Sequence, residues 1–339
     1  MSRTETKPSV LERWLKRHGN ELGLLIAILV VIGITSAIDG SYRQKPGQNA
    51  AEILRQASLL GIFALGAATV IIAGGIDLSS GSVIAFSGAV CTSIMIALAP
   101  QDAAGNLQTE DLGAGILCAG VFGTLVVAVL IGSFHAWLIT VIGLPPFVAT
   151  LASLVGLRSL ARVLVQDVTA AVTGQGRNTQ IYINDDTFRS WGTRWWIPLV
   201  IFLVLSGLAW IVMSKTVIGR HLYALGGNEE AAKLSGIRTD RLKWLAYCAG
   251  TVTAAIAGIL YSSYVGMSNP ATQGMGYELN AIAAAVVGGC SLAGGIGTIP
   301  GVMLGALFLR VVIDSVAKTV KTTPDEFQGL IVGVLVVLA

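Results

Sequence analysis

Few residues in this chain have the type and spacing for chemistry, and those few sit in unusual places. Asp77 lies in a Gly-rich stretch between two apolar runs, and Arg55 near the start of one run. Arg158 and Arg162 fall i, i+4 within another run, and Arg310 within a third. A charge at membrane depth is costly, so such residues usually face a bundle interior or a water-filled path. Arg158, in mid-run, is the best candidate for a path-facing charge, while Arg162 near a helix end can snorkel. For Asp77, helix capping competes with contact to a permeant. Leu78-Ser79-Ser80-Gly81 follows directly, and the carboxylate can accept from the free amides of Ser79 and Ser80. His18, His135 and His221 are scattered, with no H-E-x-x-H pair. Cys91, Cys118, Cys248 and Cys290 are far apart with no C-x-x-C, which argues against a metal centre. They read as small buried hydrophobes.

The surrounding elements are dictated by composition. Only 12% of the 339 residues are charged and 54% are hydrophobic, with mean hydropathy +0.74. So few charges cannot cover a soluble domain, so the reading is an all-α polytopic membrane protein. Soluble enzymes and disordered chains are excluded, and a net charge of +3 offers nothing to a nucleic acid. Ten candidate spans follow, at about 21–38, 53–73, 81–99, 113–133, 147–166, 197–213, 243–264, 277–288, 299–317 and 326–339. The eighth is too short to cross if straight, and the tenth stops at Ala339. The first reads as an uncleaved anchor, because its charged lead is long and Thr35-Ser36-Ala37-Ile38 is a poor cleavage site.

Lys and Arg set the orientation. Arg3, Lys7, Arg13, Lys16 and Arg17 precede the first span, making 1–20 a cytoplasmic segment before a single transmembrane domain, 21–339. Lys215, Arg220, Lys233, Arg238, Arg241 and Lys243 mark about 215–242 as cytoplasmic. The loop 101–112, with acids and no Lys or Arg, is expected outside, as is 167–196. Trp191, Trp195 and Trp196 suit an interfacial belt there.

An internal echo points to function. Gly74-Gly75-Ile76-Asp77-Leu78-Ser79-Ser80-Gly81 and Gly288-Gly289-Cys290-Ser291-Leu292-Ala293-Gly294-Gly295 share the pattern GGxxLxxG. Paired breaks in two parts of a membrane chain indicate a translocation path between them. Close helix packing through small residues is the competing reading. Gly75, Asp77, Ser79, Arg158, Glu278, Asn280, Gly289 and Gly295 are therefore the path candidates. Between spans six and seven, Asn228 is a good N-cap, Glu229 and Glu230 suit a helix N-terminus, and Gly236 suits its C′ position. This predicts a two-turn cytoplasmic helix at about 229–235, too short to stand without a partner surface. Thr239 or Asp240 should then cap span seven.

Glu230-Ala231-Ala232-x-x-x-Gly236 resembles the EAA-x-x-x-G coupling motif of ATP-binding cassette (ABC) importer permeases. Gly74 to Val83 resembles the signature of the monosaccharide (ribose, xylose, arabinose, galactose) permeases. So do Leu144-Pro145-Pro146-Phe147-Val148-Ala149-Thr150-Leu151, Gly276-Tyr277-Glu278-Leu279-x-Ala281-Ile282-Ala283-Ala284 and Ser291-Leu292-Ala293-Gly294-Gly295-x-Gly297. These run in family order from about 53 to 338. The resemblance implies a ten-helix permease subunit that dimerises around one path in a bacterial inner membrane. It also implies an ATPase partner, which would bind the ATP and Mg, docking on Asn228, Glu230, Ala231, Ala232 and Gly236. An extracytoplasmic binding protein would deliver the sugar. The chain carries no G-x-x-x-x-G-K-[ST] loop and no cofactor of its own is expected.

Departures from the family pattern leave the sugar open. Leu60 stands where many members have Asn, His135-Ala136 where many have Asn-Gly, and Asn280 where the family has Asp; Cys290 and Ser159 replace the usual Thr and Gly. Two alternatives stay open. One is a branched-chain amino acid or urea permease of the same superfamily. The other is an ion- or proton-coupled carrier, for which Asp77, His135, Glu278 and Asp314 are the candidate relays.

Overall fold

The computed structural model describes residues 10–102, 106–174, 176–320 and 324–338. The start of the 1–20 segment lies outside them. The order is α1 (Val10–Ile38), α2 (Gly40–Gln44), α3 (Pro46–Ile72), α4 (Ser80–Leu98), α5 (Gly113–Thr140), α6 (Pro146–Thr173) and β1 (Ile181–Tyr182). Next come α7 (Asp186–Thr193), α8 (Trp196–Lys215), α9 (Val217–Gly227), α10 (Glu229–Leu234), α11 (Thr239–Val265) and β2 (Met267–Ser268). The chain closes with α12 (Tyr277–Val287), α13 (Ile299–Thr319) and α14 (Pro324–Leu338).

Among the described residues eight helices are long and apolar enough to cross a membrane. The expected count of ten is not reached among these residues: the eighth and tenth expected spans fall on shorter helices, α12 with 11 described residues and α14 with 15. α3 and α4 form the centre, each with 83% of its apolar window buried, against 17% for α1 and 22% for α8. α11 packs on α3, α4 and α5, while α13 packs on α1 and α3. Cys91 and Cys290 are buried as expected, but Cys118 is exposed, because α5 turns much of its surface outward, and Cys248 on α11 is half-buried.

Contacts sort the connections to two ends of the bundle. At one end β1 pairs antiparallel with β2, Ile181 opposite Ser268, and the Ile183 amide donates to the Gly266 carbonyl at 3.0 Å. The buried Asp185 there caps two helices at once. It accepts from the Phe188 amide of α7 (2.7 Å) and from the Leu112 amide entering α5 (3.0 Å). The acidic loop and the Trp-bearing segment expected outside thus share one end. The expected 167–196 loop is shorter, because α6 runs to Thr173 and α7 fills part of the rest. The cation-rich α9–α10 segment, both Gly-rich breaks and the α5–α6 turn gather away from it.

Candidate functional site

The α9–α10 segment folds as its residues dictate. The Asn228 side chain accepts from the Ala231 amide at 3.0 Å, capping α10. Gly236, at φ +80, closes it. The Gly236 amide donates to Lys233 O (2.9 Å) and the Ile237 amide to Ala232 O (3.1 Å), the paired bonds of a Schellman stop. Glu229 is held by Lys243 of α11 at 2.7 Å and by Lys233 at 3.0 Å. Burial works to raise the Glu229 carboxyl. Hydrogen bonds from the two lysines outweigh it and hold the group below the usual carboxylate range.

The outward face of α10 differs from expectation. Ala232, expected to meet a partner, is buried against the chain's own bundle. Leu234 is 89% exposed and the Glu230 side chain 82% exposed. Ala231 and Gly236 are exposed as expected. The expected caps at Thr239 or Asp240 are absent: α11 starts at Thr239, with no side-chain cap at its N-terminus.

The two breaks meet each other and the end of α9. The Gly295 amide donates to the Ile72 carbonyl at 2.9 Å, satisfying a group freed where α3 ends. Gly226 lies so close to Ile72 O and Gly295 N that a Cβ there would collide with both. Gly294, at φ +87, packs on the Gly74 and Gly226 backbones. A cavity of about 380 Å³ opens beside this junction, lined among others by Gly75, Asn228, Glu229, Lys243, Tyr247 and Ala293. Of the path candidates Gly75 lines this cavity, sharing its wall with Asn228 and Glu229 of the capped helix.

Deeper in the bundle, Asp77 is buried. Its Oδ1 accepts from the Ser79 amide (2.8 Å) and the Ser79 hydroxyl (2.6 Å). Both donors belong to Ser79; the Ser80 amide, expected to join it, is not among the partners of Asp77, and the Ser80 hydroxyl is buried without a partner among the described residues. Next to this turn lie Tyr247 and the fully buried His135, rings 6.4 Å apart. Neither ring nitrogen of His135 nor the Tyr247 hydroxyl has a hydrogen-bond partner among the described residues.

Arg158 spends its guanidinium on main-chain carbonyls, donating to Pro270 O (3.1 Å), Gln273 O (2.9 Å) and Gly274 O (3.3 Å). It braces the irregular 269–276 segment by satisfying three of its main-chain carbonyls. Glu278 lies against Gly81, where α4 begins, and Gly274 packs on the Gly81 backbone. Gly289, at φ +94, is covered by the Asn20 carboxamide of α1. Asn280 lies apart from the cavity, beside Arg310. Sequence reasoning missed Gly226, Lys243, Tyr247 and Leu234. Lys243 had a signal, as a cation just inside span seven; the others are visible only in three dimensions.

A family model described as branched-chain amino acid transport system / permease component matches residues 49–339. A ribose import permease protein of Haemophilus influenzae is 34% identical over 313 residues, covering 91% of this chain and 88% of the relative. The ribose import permease protein of Bacillus subtilis is 31% identical, covering 99% and 95%. The xylose transport system permease protein of Haemophilus influenzae is 29% identical, covering 93% and 94%. No solved structure matches.

Proposed function

We propose that this chain, which belongs to the branched-chain amino acid transport system / permease component family, is the membrane-spanning subunit of an ABC sugar importer. The chain is a multi-pass membrane protein. The observation that carries the sugar is likeness along nine-tenths of the chain to permeases named for ribose and xylose. In this reading an extracytoplasmic binding protein delivers the sugar and two permease copies enclose the path. The N-terminus and α10 face the cytoplasm of a bacterial inner membrane. A separate ATPase, holding ATP and Mg, docks on α10 through Leu234, Glu230, Ala231 and Gly236.

The geometry supports coupling in a direct way. A push on α10 acts on Glu229, whose partner Lys243 belongs to α11. It also acts through Asn228 on the Gly226–Gly227 end of α9, which is wedged between the two breaks. The breaks are the parts of the bundle freed from continuous helical bonding, so displacement is least costly there. One short helix therefore addresses both flanks of the cavity.

The test is reconstitution of this chain with its ATPase and binding protein in proteoliposomes. Uptake of D-ribose or D-xylose that needs ATP, and no ion or proton gradient, supports the reading. Uptake of leucine instead would favour the branched-chain alternative carried by the family's description. Uptake driven by a proton gradient without ATP would favour the carrier class.

A further inference from the structure

We propose that a polar and aromatic cluster formed by α3, α12 and α13 is a direct sugar-contact site within the permease. The inference rests on the sugar-import reading above and names where this chain touches the sugar. Arg310 of α13 is the key observation. Its Nε is buried without a partner, and its guanidinium makes no hydrogen bond or ion pair among the described residues. The nearest carboxylate, Asp314, lies one turn on and pairs with Lys318 at 3.4 Å, and Arg55 pairs with Glu52 and donates to the Tyr264 hydroxyl at 3.2 Å. A largely desolvated guanidinium at membrane depth costs several kcal/mol, and the field of Asp314, shared with Lys318, offsets only part of it.

Two carboxamides converge on the same point. Asn280 of α12 makes no side-chain hydrogen bond among the described residues. Gln56 of α3 donates its Nε2 to Glu52 (3.1 Å) and leaves its carbonyl oxygen open. Gln56, Asn280 and Arg310 line one gap of about 40 Å³ together with Phe63 and Tyr277. The gap has room for water-sized groups but not for a sugar ring, so hydroxyl groups enter it while the ring stays at its mouth. Phe63 and Tyr277 stack with centroids 5.6 Å apart and planes 4° from parallel, and Tyr261 meets Tyr277 edge-on at 5.8 Å.

The chemistry matches a neutral polyol. A hydroxyl both donates and accepts, as do the two carboxamides, while the guanidinium only donates. A phosphate only accepts, and would set its charge against the open Gln56 carbonyl. The Phe63–Tyr277 stack, with Phe63 itself buried, holds the apolar wall of the gap rigid beside these polar groups. Gln56 lies in the half of α3 remote from Ile72. A sugar arriving from the extracytoplasmic end meets this cluster first and the cavity beside α10 later.

The decisive experiment uses the full-length chain in lipid nanodiscs, without the binding protein, and saturation-transfer NMR with D-ribose and D-xylose. The wild type should transfer saturation to the sugar protons. Arg310→Met and Asn280→Leu should each reduce that transfer about tenfold, the worth of one charged or buried hydrogen bond. Arg310→Met should keep or raise the melting temperature, since it removes an unpaired charge; a purely structural arginine would lower it. If Arg310→Met fails to fold, Asn280→Leu and Gln56→Leu carry the same test. Wild-type transfer that survives in the variants, or no transfer from the wild type, overturns the contact site. ATP-driven sugar uptake by the reconstituted complex is measured alongside. Uptake without saturation transfer refutes only this site, whereas absence of both refutes the sugar-import reading as well.

Discussion

At Asp77 one carboxylate oxygen satisfies two donors of Ser79 where lipid could satisfy none. Its role is therefore argued from hydrogen bonding rather than from charge. Asp77→Asn keeps a carbonyl acceptor and should leave complex yield and uptake near wild type. Asp77→Ala strands a buried amide and a hydroxyl and should cost about 1–3 kcal/mol, seen as a lower yield of intact complex. A fully assembled Asp77→Asn complex without transport would show that the charge itself is needed. Glu229 gives a residue-scale pH prediction. Its carboxyl is depressed in the folded chain, so the tether to Lys243 contributes fully above the ordinary glutamate range. It is lost as pH falls through the depressed value. Protease cleavage at α10 should stay slow at neutral pH and speed up only in acid below the usual carboxylate range. Glu229→Gln should cleave faster at neutral pH and lose that acid transition.

α10 is an element defined by its two ends. Gly236→Leu forces a side chain into the left-handed region at about 1–2 kcal/mol and unravels the Schellman stop. It should uncouple ATP hydrolysis from uptake or block assembly, as measured by pull-down of the ATPase and by sugar counts per ATP. Leu234→Asp leaves both caps intact and places a charge on the exposed knob. It should weaken ATPase pull-down while the permease itself purifies normally. Caps of this kind were legible in the sequence, because Asn228 and Gly236 act on residues within one turn. Eight of the ten expected spans were legible for the same reason, since apolar length is a local property. The side of α10 that faces inward was not, because two turns carry too little periodicity to separate Ala231 from Ala232. Nor was the job of Arg158, whose three acceptors lie more than a hundred residues away in the chain.

Across the whole molecule, the meeting of Ile72, Gly74, Gly226 and Gly295 was out of reach for any reading along the chain. Each glycine announces only that something approaches it. Gly226→Val should push the breaks apart, costing about 1–3 kcal/mol as overpacking does. Cysteine-scanning probes at Ser79 and Ala293, in a Cys-free background, should report altered thiol reactivity at both sites; an unchanged pattern would separate the junction from the path. The bond from Gly295 to Ile72 also has a meaning in time. A chain emerging N-terminus first has α1 to α11 in place before residues 288–295 exist. Until then the end of α3 holds an open carbonyl and a glycine seam with no mate. Biogenesis of this protein therefore passes through a late stage, at which the last three helices dock and close a half-built membrane bundle. Translation stalled after α11 should leave the Ile72 carbonyl and the Gly74–Gly226 seam uncovered, and so mark the point where an insertase must still hold the chain.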